Sequence, residues 1–205
     1  MTSSCGWSQL MTDLSLLTTI PHSSDDNIQP RLGVMLLGHV VQQISQEVYI
    51  SGGLGIGNTK SDIQYLASGN SEFWEDTREE LYYLRSELSI AIKPGKSNPI
   101  SFEIGPGLEY IFFKQYNGTW LLDPLEDGSP PLIRKELKEK VQPFEKIRFV
   151  LSGRLLYNAD VYGRSVQIGP YFDYADSHAV INEVSSRKFG FYMAIELTKA
   201  ATTVH

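Results

Sequence analysis

From Leu81 to Lys93 the side chains alternate: Tyr82, Leu84, Leu88, Ile90 and Ile92 take one set of positions, and Tyr83, Arg85, Glu87, Ser89, Ala91 and Lys93 take the other. A repeat of two places successive side chains on opposite faces of a strand. The segment therefore predicts a strand with one apolar and one charged face. The next segment repeats the pattern, with Ile100, Phe102, Ile104, Leu108, Tyr110 and Phe112 opposed by Ser101, Glu103, Gly105, Gly107 and Glu109, and with Pro106 on the apolar side. Between Glu145 and Asn158, Ile147, Phe149, Leu151, Leu155 and Tyr157 oppose Arg148, Ser152, Arg154 and Asn158, with Val150 and Leu156 as apolar exceptions on the polar side.

Two strands follow toward the C-terminus. Val166, Ile168, Phe172 and Tyr174 oppose Ser165, Gln167, Gly169, Tyr171 and Asp173; Phe189, Phe191, Met193, Ile195 and Leu197 oppose Lys188, Gly190, Tyr192, Ala194, Glu196 and Thr198. Earlier, Val48, Ile50, Leu54 and Ile56 oppose Tyr49, Ser51, Gly53, Gly55 and Gly57, while Leu32, Val34, Leu36 and Val40 oppose Arg31, Gly33 and His39. An eighth strand runs from Ser8 to Ile20, with Leu10, Leu14, Leu16 and Ile20 sharing a face with Ser8, Thr12 and Thr18. An even number of strands closes an up-and-down barrel.

The connections alternate in length. Gln43–Gln46, Pro94–Asn98 and Ala159–Arg164 are short; Pro21–Pro30, Asn58–Glu80, Lys114–Phe144 and Ala175–Arg187 are long. Short turns at one rim and long loops at the other are the habit of an outer-membrane barrel. Both termini would then lie at the short-turn rim, which is periplasmic in a Gram-negative cell.

Alternation alone does not say which face is inside, since a soluble calyx turns its apolar face inward. Residue size decides. The polar face interleaves Gly33, Gly53, Gly55, Gly57, Gly105, Gly107, Gly169 and Gly190 with Arg85, Glu87, Glu103, Glu109, Arg148, Arg154, Lys188 and Glu196. Eight strands leave an interior just wide enough for side chains, so long charged groups fit when their neighbours have none, and opposite signs on one face can pair. The apolar face carries branched and aromatic groups suited to hydrocarbon, with Tyr82, Tyr110, Phe112, Tyr157, Phe172 and Tyr174 near segment ends, where an aromatic girdle sits.

Composition narrows the function classes. The chain has 205 residues, read as a single domain over 1–205 whose best-supported strands lie within 31–199, with 1–30 supplying the first strand and loop. A net charge of -6 and a pI near 5.2 argue against nucleic-acid binding, which needs clustered Lys and Arg. Cys5 stands alone and cannot form an internal disulfide, and His22, His39, His178 and His205 show no metal-ligand spacing. Only Met1 to Ser4 precede Cys5, so no export signal is expected within the chain. The longest apolar stretch, Leu32 to Val41, contains Gly33, Gly38 and His39 and does not make a membrane-spanning helix. A barrel is untouched by that test because only alternate residues face lipid, and a mean hydropathy of -0.19 is compatible with one.

The segment LYYLRSELSIAIKPGKSNPISFEIGPGLEYIFF, Leu81 to Phe113, resembles the outer-membrane β-barrel domain common in Bacteroidetes, a small porin-like, OmpA-like barrel. Ile104, Gly105, Pro106 and Gly107 match that family's Gly-Pro strand element, Ile168, Gly169, Pro170 and Tyr171 repeat it, and Phe189 to Lys199 looks like its closing strand. The sequence departs from the family where it reads RSELS, a strand that commonly holds a proline, and in lacking the usual signal peptide. The resemblance covers about residues 31 to 199 and brings no common catalytic residue.

Other motifs lead nowhere sharper. Gly52 to Thr59 reads GGLGIGNT, a phosphate-loop spacing with Asn58 where lysine is required. Asn117, Gly118 and Thr119 form a glycosylation sequon, a triplet that chance supplies. Glu103 and Glu109, six residues apart on a strand, are roughly 20 Å apart, too far for paired acid/base work. The spacing of Ile133, Leu137 and Val141 in IRKELKEKV allows a short amphipathic helix inside the loop 114–144.

The expectation is thus an all-β, closed, eight-stranded, antiparallel, up-and-down transmembrane β-barrel of the cell outer membrane. Its charged lumen, lined by the eight residues above, would not conduct. Outer-membrane lipid surrounds it, and an extracellular ligand or protein would meet the loops 58–80 and 114–144, with Trp74 and Trp120 as contacts. A monomer without catalytic residues, cofactor or metal is expected. The rival is a lipocalin-like soluble barrel holding an apolar small molecule.

Overall fold

A computed structural model describes residues 10–21, 28–67, 72–95, 98–122, 133–141, 147–175 and 187–199. The strands are β1 (Leu10–Pro21), β2 (Ile28–Arg31), β3 (Gly33–Gln43), β4 (Val48–Ala67), β5 (Glu72–Ile92), β6 (Ile100–Leu122), β7 (Ile133–Val141), β8 (Ile147–Val161), β9 (Arg164–Ala175) and β10 (Arg187–Lys199). All pairings are antiparallel: β1 with β3, β3 with β4, β4 with β5, β5 with β6, β6 with β8, β8 with β9, β9 with β10, and β10 back to β1. The circuit is a closed eight-stranded barrel, and closure removes the unpaired edges that an open sheet would present.

The two remaining strands are continuations. β2 pairs β4 at Ile28↔Ile63, beyond the β3 pairing that begins at Met35↔Gly57, so β2 and β3 form one interrupted line. β7 pairs β6 at Lys114↔Val141, beyond the β8 pairing that ends at Tyr110↔Ile147.

These continuations correct three expectations. Most of the segment 58–80 is strand, because β4 runs to Ala67 and β5 starts at Glu72. Part of 114–144 is strand too, and IRKELKEKV is β7 and not a helix. Its spacing of four is even, so Ile133, Leu137 and Val141 also share one face of a strand, and the free edge of β6 decides between the two. Trp74 and Trp120, expected on loops, are a register pair between β5 and β6. The alternation fades here because polar groups occupy both sides: Thr59, Ser61, Thr77 and Glu79 are buried, while Lys60, Asp62, Arg78 and Glu80 lie on the outer side. Backbone pairing and cross-strand polar contacts, without an apolar face, carry these ladders.

Of the three short connections, the one expected over Ala159–Arg164 is tighter than expected, with β8 running to Val161 and β9 starting at Arg164. Tyr162 and Gly163, both at positive φ, turn β8 into β9, and the Gly163 N–H donates to Asp160 Oδ1 at 2.9 Å. Cys5, His22, His178 and His205 lie outside the described residues, as do Ser8 and Gln9 at the start of the expected first strand.

Candidate functional site

The chemistry of this barrel is concentrated in its lumen. Inward positions follow from parity, and register then decides which of them stand side by side. One row across the sheet reads Leu37, Gly55, Arg85, Glu109, Arg148; the next reads His39, Gly53, Glu87, Gly107, Val150. Farther round, Gly105, Ser152, Asp173 and Lys188 share a row, as do Glu103, Arg154, Tyr171 and Gly190. Glycine beside a long charged side chain leaves room for that side chain to cross the narrow bore.

The charged groups form one connected cluster. Arg85 is its hub: Nε donates to Glu87 Oε2 at 3.0 Å, Nη1 to Glu109 Oε1 at 3.2 Å, and Nη2 to Asp173 Oδ1 at 3.0 Å. Glu109 also accepts from Arg148 Nη2 at 2.7 Å and from Lys188 Nζ at 2.6 Å. On the other side, Glu87 lies 2.8 Å from His39 Nε2 and accepts from Arg154, whose Nη1 donates to Glu103 Oε1 at 3.0 Å. Ser152 and the Tyr171 hydroxyl donate to Asp173, and Ser51 and Ser89 donate to Glu103. Side chains from β3, β4, β5, β6, β8, β9 and β10 take part.

Four cations, Arg85, Arg148, Arg154 and Lys188, meet four carboxylates, Glu87, Glu103, Glu109 and Asp173, so the formal charges cancel. Burial makes that balance necessary. Arg85 is 1% exposed and Glu109 is fully enclosed, and an isolated charge in such a place would be far too costly to keep. Beside the ion pairs, Leu17, Met35 and Leu37 on β1 and β3 join Tyr83 and Tyr192 in one buried cluster. Val150 and Leu156, the two exceptions to the alternation of β8, also point inward. Ion pairs and packed side chains together fill the bore at this level.

Packing this tight makes some inward glycines indispensable. A Cβ at Gly190 would overlap the carbonyl oxygen of Thr18 and crowd Tyr171, whereas a Cβ at Gly38, on the outer surface, would meet nothing within 4 Å. Gly190→Ala is therefore expected to destabilise by about 1–3 kcal/mol, and Gly38→Ala to leave stability nearly unchanged. The midpoints of urea unfolding in detergent micelles measure both, and equal midpoints would mean that the wall at Gly190 has room to yield.

Of the eight residues that parity placed on the inner face, Arg85, Glu87, Glu103, Glu109, Arg148, Arg154 and Lys188 join the cluster. Glu196 lies apart toward the short turns, its Oε2 accepting from the Ser165 N–H at 3.4 Å. Sequence reasoning missed Asp173, His39 and Tyr171 as members, although all three sit on the polar face, and parity was the signal that held them. The glycine-rich Gly52 to Thr59 lies wholly within β4, and the sequon lies within β6.

Above the cluster, on the extended strands, a second ionic group faces outward. Asp62 Oδ2 accepts from Arg31 Nε at 2.7 Å, and Asp62 Oδ1 from Arg78 Nε at 3.0 Å. Burial raises the Asp62 pKa, but the two guanidinium groups outweigh it and hold the carboxyl below the ordinary aspartate range. This pins β2, β4 and β5 together beyond the barrel wall. Lys114 and the Tyr116 hydroxyl hold Glu79 at 2.7 and 3.0 Å on the inner side.

The outer surface is the inverse of the lumen. Leu54 is 73% exposed and Phe149 71%, and with them Val34, Leu36, Ile56, Leu88, Ile104, Leu151, Phe191 and Ile195 stand outward in a continuous apolar belt. Tyr110, Phe112, Phe172 and Tyr174 stand outward toward the extended end, with Phe172 and Phe189 in ring contact at 5.1 Å, and Tyr157 stands outward near the short turns.

No protein family and no curated protein matches the chain. Among solved structures, it is similar to the attachment invasion locus protein Ail of Yersinia pestis in complex with the heparin analogue sucrose octasulfate, at 8% identity and a TM-score of 0.44, over 95% of this chain and 99% of that one. The structure of Ail described without that ligand gives 9% identity, a TM-score of 0.43 and the same coverage. Neisserial surface protein A gives 13% identity and a TM-score of 0.42, over 92% of this chain and 96% of the other.

Proposed function

We propose that this chain is a small outer-membrane barrel protein with a structural or surface-interaction role, its lumen closed to ions by the buried ionic cluster. The observation that carries the reading is the inversion of polarity: a closed barrel buries Arg85, Glu109, Arg148 and Lys188 and exposes a belt of leucine, isoleucine and phenylalanine. An apolar surface of that extent is unfavourable in water, whereas a closed barrel satisfies its backbone internally and can stand in hydrocarbon. A calyx for an apolar molecule would need the opposite lining.

The paired extensions of β4, β5 and β6 would stand clear of the bilayer on the extracellular side, with Trp74 and Trp120 adjacent across two strands. A ligand or protein partner would meet this ribbon. The chain would act as a monomer and catalyse nothing.

Two measurements test the reading. Purified barrel is expected to stay monodisperse only with detergent or lipid, and planar-bilayer recordings are expected to show no large, stable pore. Monodisperse protein in plain buffer would overturn the membrane reading, and a steady pore would overturn the closed lumen.

A further inference from the structure

The outward face of the extended strands turns from apolar to charged within one step. Tyr82 and Phe113 are register partners on β5 and β6, their rings 5.5 Å apart. Two residues farther along, register sets Arg31, Lys60, Glu80, Gln115 and Lys140 in a single row across β2, β4, β5, β6 and β7. Asp62, Arg78 and Asn117 share the row after it. A step of two residues is roughly 7 Å along a strand, and the polar zone beyond the hydrocarbon of a bilayer is roughly 5–7 Å deep on each side, so these rows fall at headgroup depth.

Cations are in surplus there. Arg31 and Arg78 share the one carboxylate of Asp62, and Lys60 lies 3.5 Å from Glu80, which also accepts from the Tyr82 hydroxyl. Lys140 is exposed, lies over the Phe113 ring at 5.7 Å from its centre, and has no carboxylate partner among the described residues. Four cations against two carboxylates leave two positive charges, in a chain whose net charge is -6. The acids Asp76 and Glu136, also exposed, stand one step farther out. The cations are also the more accessible partners: the side chains of Arg31 and Arg78 are 55% and 53% exposed, that of Asp62 only 23%.

Between Arg78 on β5 and Lys140 on β7 the floor is β6, whose outward side chains Gln115 and Asn117 are neutral amides joined by a 2.9 Å bond from Gln115 Nε2 to Asn117 Oδ1. Two strand spacings, roughly 10 Å, separate the two cations, a span that both long side chains can close onto one group. Arg78 spends Nε on Asp62 and keeps its terminal nitrogens, the fork that matches a phosphate.

We infer that this face docks an anionic lipid headgroup, its phosphate seated over β6 between Arg78 and Lys140. The inference rests on the membrane reading: the rows continue directly from the apolar belt, so one lipid lays its chains on the belt and its phosphate on the cations.

The test is a titration of the ¹⁵N-labelled full chain in maltoside micelles with dihexanoyl phosphatidic acid, followed by the backbone amide signals of Arg78, Gln115, Asn117 and Lys140. Saturable shifts are expected, weakened by added sodium chloride. Dihexanoyl phosphatidylcholine, whose choline offsets its phosphate, and inorganic phosphate should give none. Arg78→Gln with Lys140→Gln removes both cations and leaves Arg31 on Asp62, and should weaken binding by about tenfold or more in a folded barrel. The proposal is overturned by an absence of saturable shifts, by equal shifts from the zwitterionic lipid, by equal shifts from inorganic phosphate, which would make the seat a free-anion site, or by undiminished binding in the double variant. Each of these in a detergent-dependent barrel sinks the lipid seat alone, whereas monodisperse protein in plain buffer removes the membrane reading and the seat with it.

Discussion

Arg85→Met should lower the unfolding free energy of the barrel by about 3–5 kcal/mol, the cost of stripping a partner from a buried ion network. The damage is unequal among the three carboxylates that Arg85 serves. Glu87 would keep Arg154, and Glu109 would keep Arg148 and Lys188. Asp173 would keep only neutral donors, Ser152 and Tyr171, with no other cation paired to it among the described residues. Most of the loss should therefore return in the double variant Arg85→Met with Asp173→Asn, which removes the stranded charge along with its partner. Urea titration of vesicle-embedded protein, with the folded fraction read from the gel mobility of unheated samples, measures both. If the single variant unfolded at the wild-type midpoint, the cluster would contribute nothing to the fold.

Ile104→Arg is the second large effect. Ile104 sits midway along the barrel portion of β6, 43% exposed on the outer surface and flanked by Ile90 and Gly153. An arginine at the middle of a hydrocarbon slab costs about 2–4 kcal/mol, and one near the slab's edge about 0–1 kcal/mol. Ile147, 60% exposed at the start of β8, lies near that edge, so Ile147→Arg should be nearly silent in the same vesicle assay. The contrast separates lipid from water. In a water-exposed belt neither substitution would cost much and the two would not differ, an outcome that would remove the membrane reading.

The two experiments probe the two faces of one strand set, and both faces were legible early. In β8 the alternation of Arg148, Ser152 and Arg154 with Phe149, Leu151 and Leu155 was enough to sort the two faces, and the glycines interleaved with charges on the polar faces of other strands, such as Gly105 and Gly107 beside Glu103 and Glu109, told which face was inside. Val150 and Leu156 blurred that reading, since an apolar inward residue is indistinguishable by type from an outward one. Their place became clear only from the folded barrel, in which both are buried and Leu156 joins the cluster of Leu17, Met35 and Leu37.

The extensions show the converse. Between Asn58 and Glu80 no face is consistently apolar, so a polar stretch that is largely ladder passes for a loop. Hydrogen bonding to a neighbouring strand leaves no mark on side-chain pattern, and it is what carries β4 to Ala67 and builds β7 on β6. The spacing of Ile133, Leu137 and Val141 suits a helix turn and a strand face alike.

What the chain determined unaided is therefore local. A repeat of two sorts each side chain to one side of its own strand, and residue size orients the sorted faces, because both depend only on neighbours a few positions away. Tertiary structure decided who meets whom. Arg85 and Asp173 are 88 residues apart, and only the register of each ladder and the return of β10 to β1 bring them across the same bore; the cancellation of four charges by four exists only once the cylinder is shut.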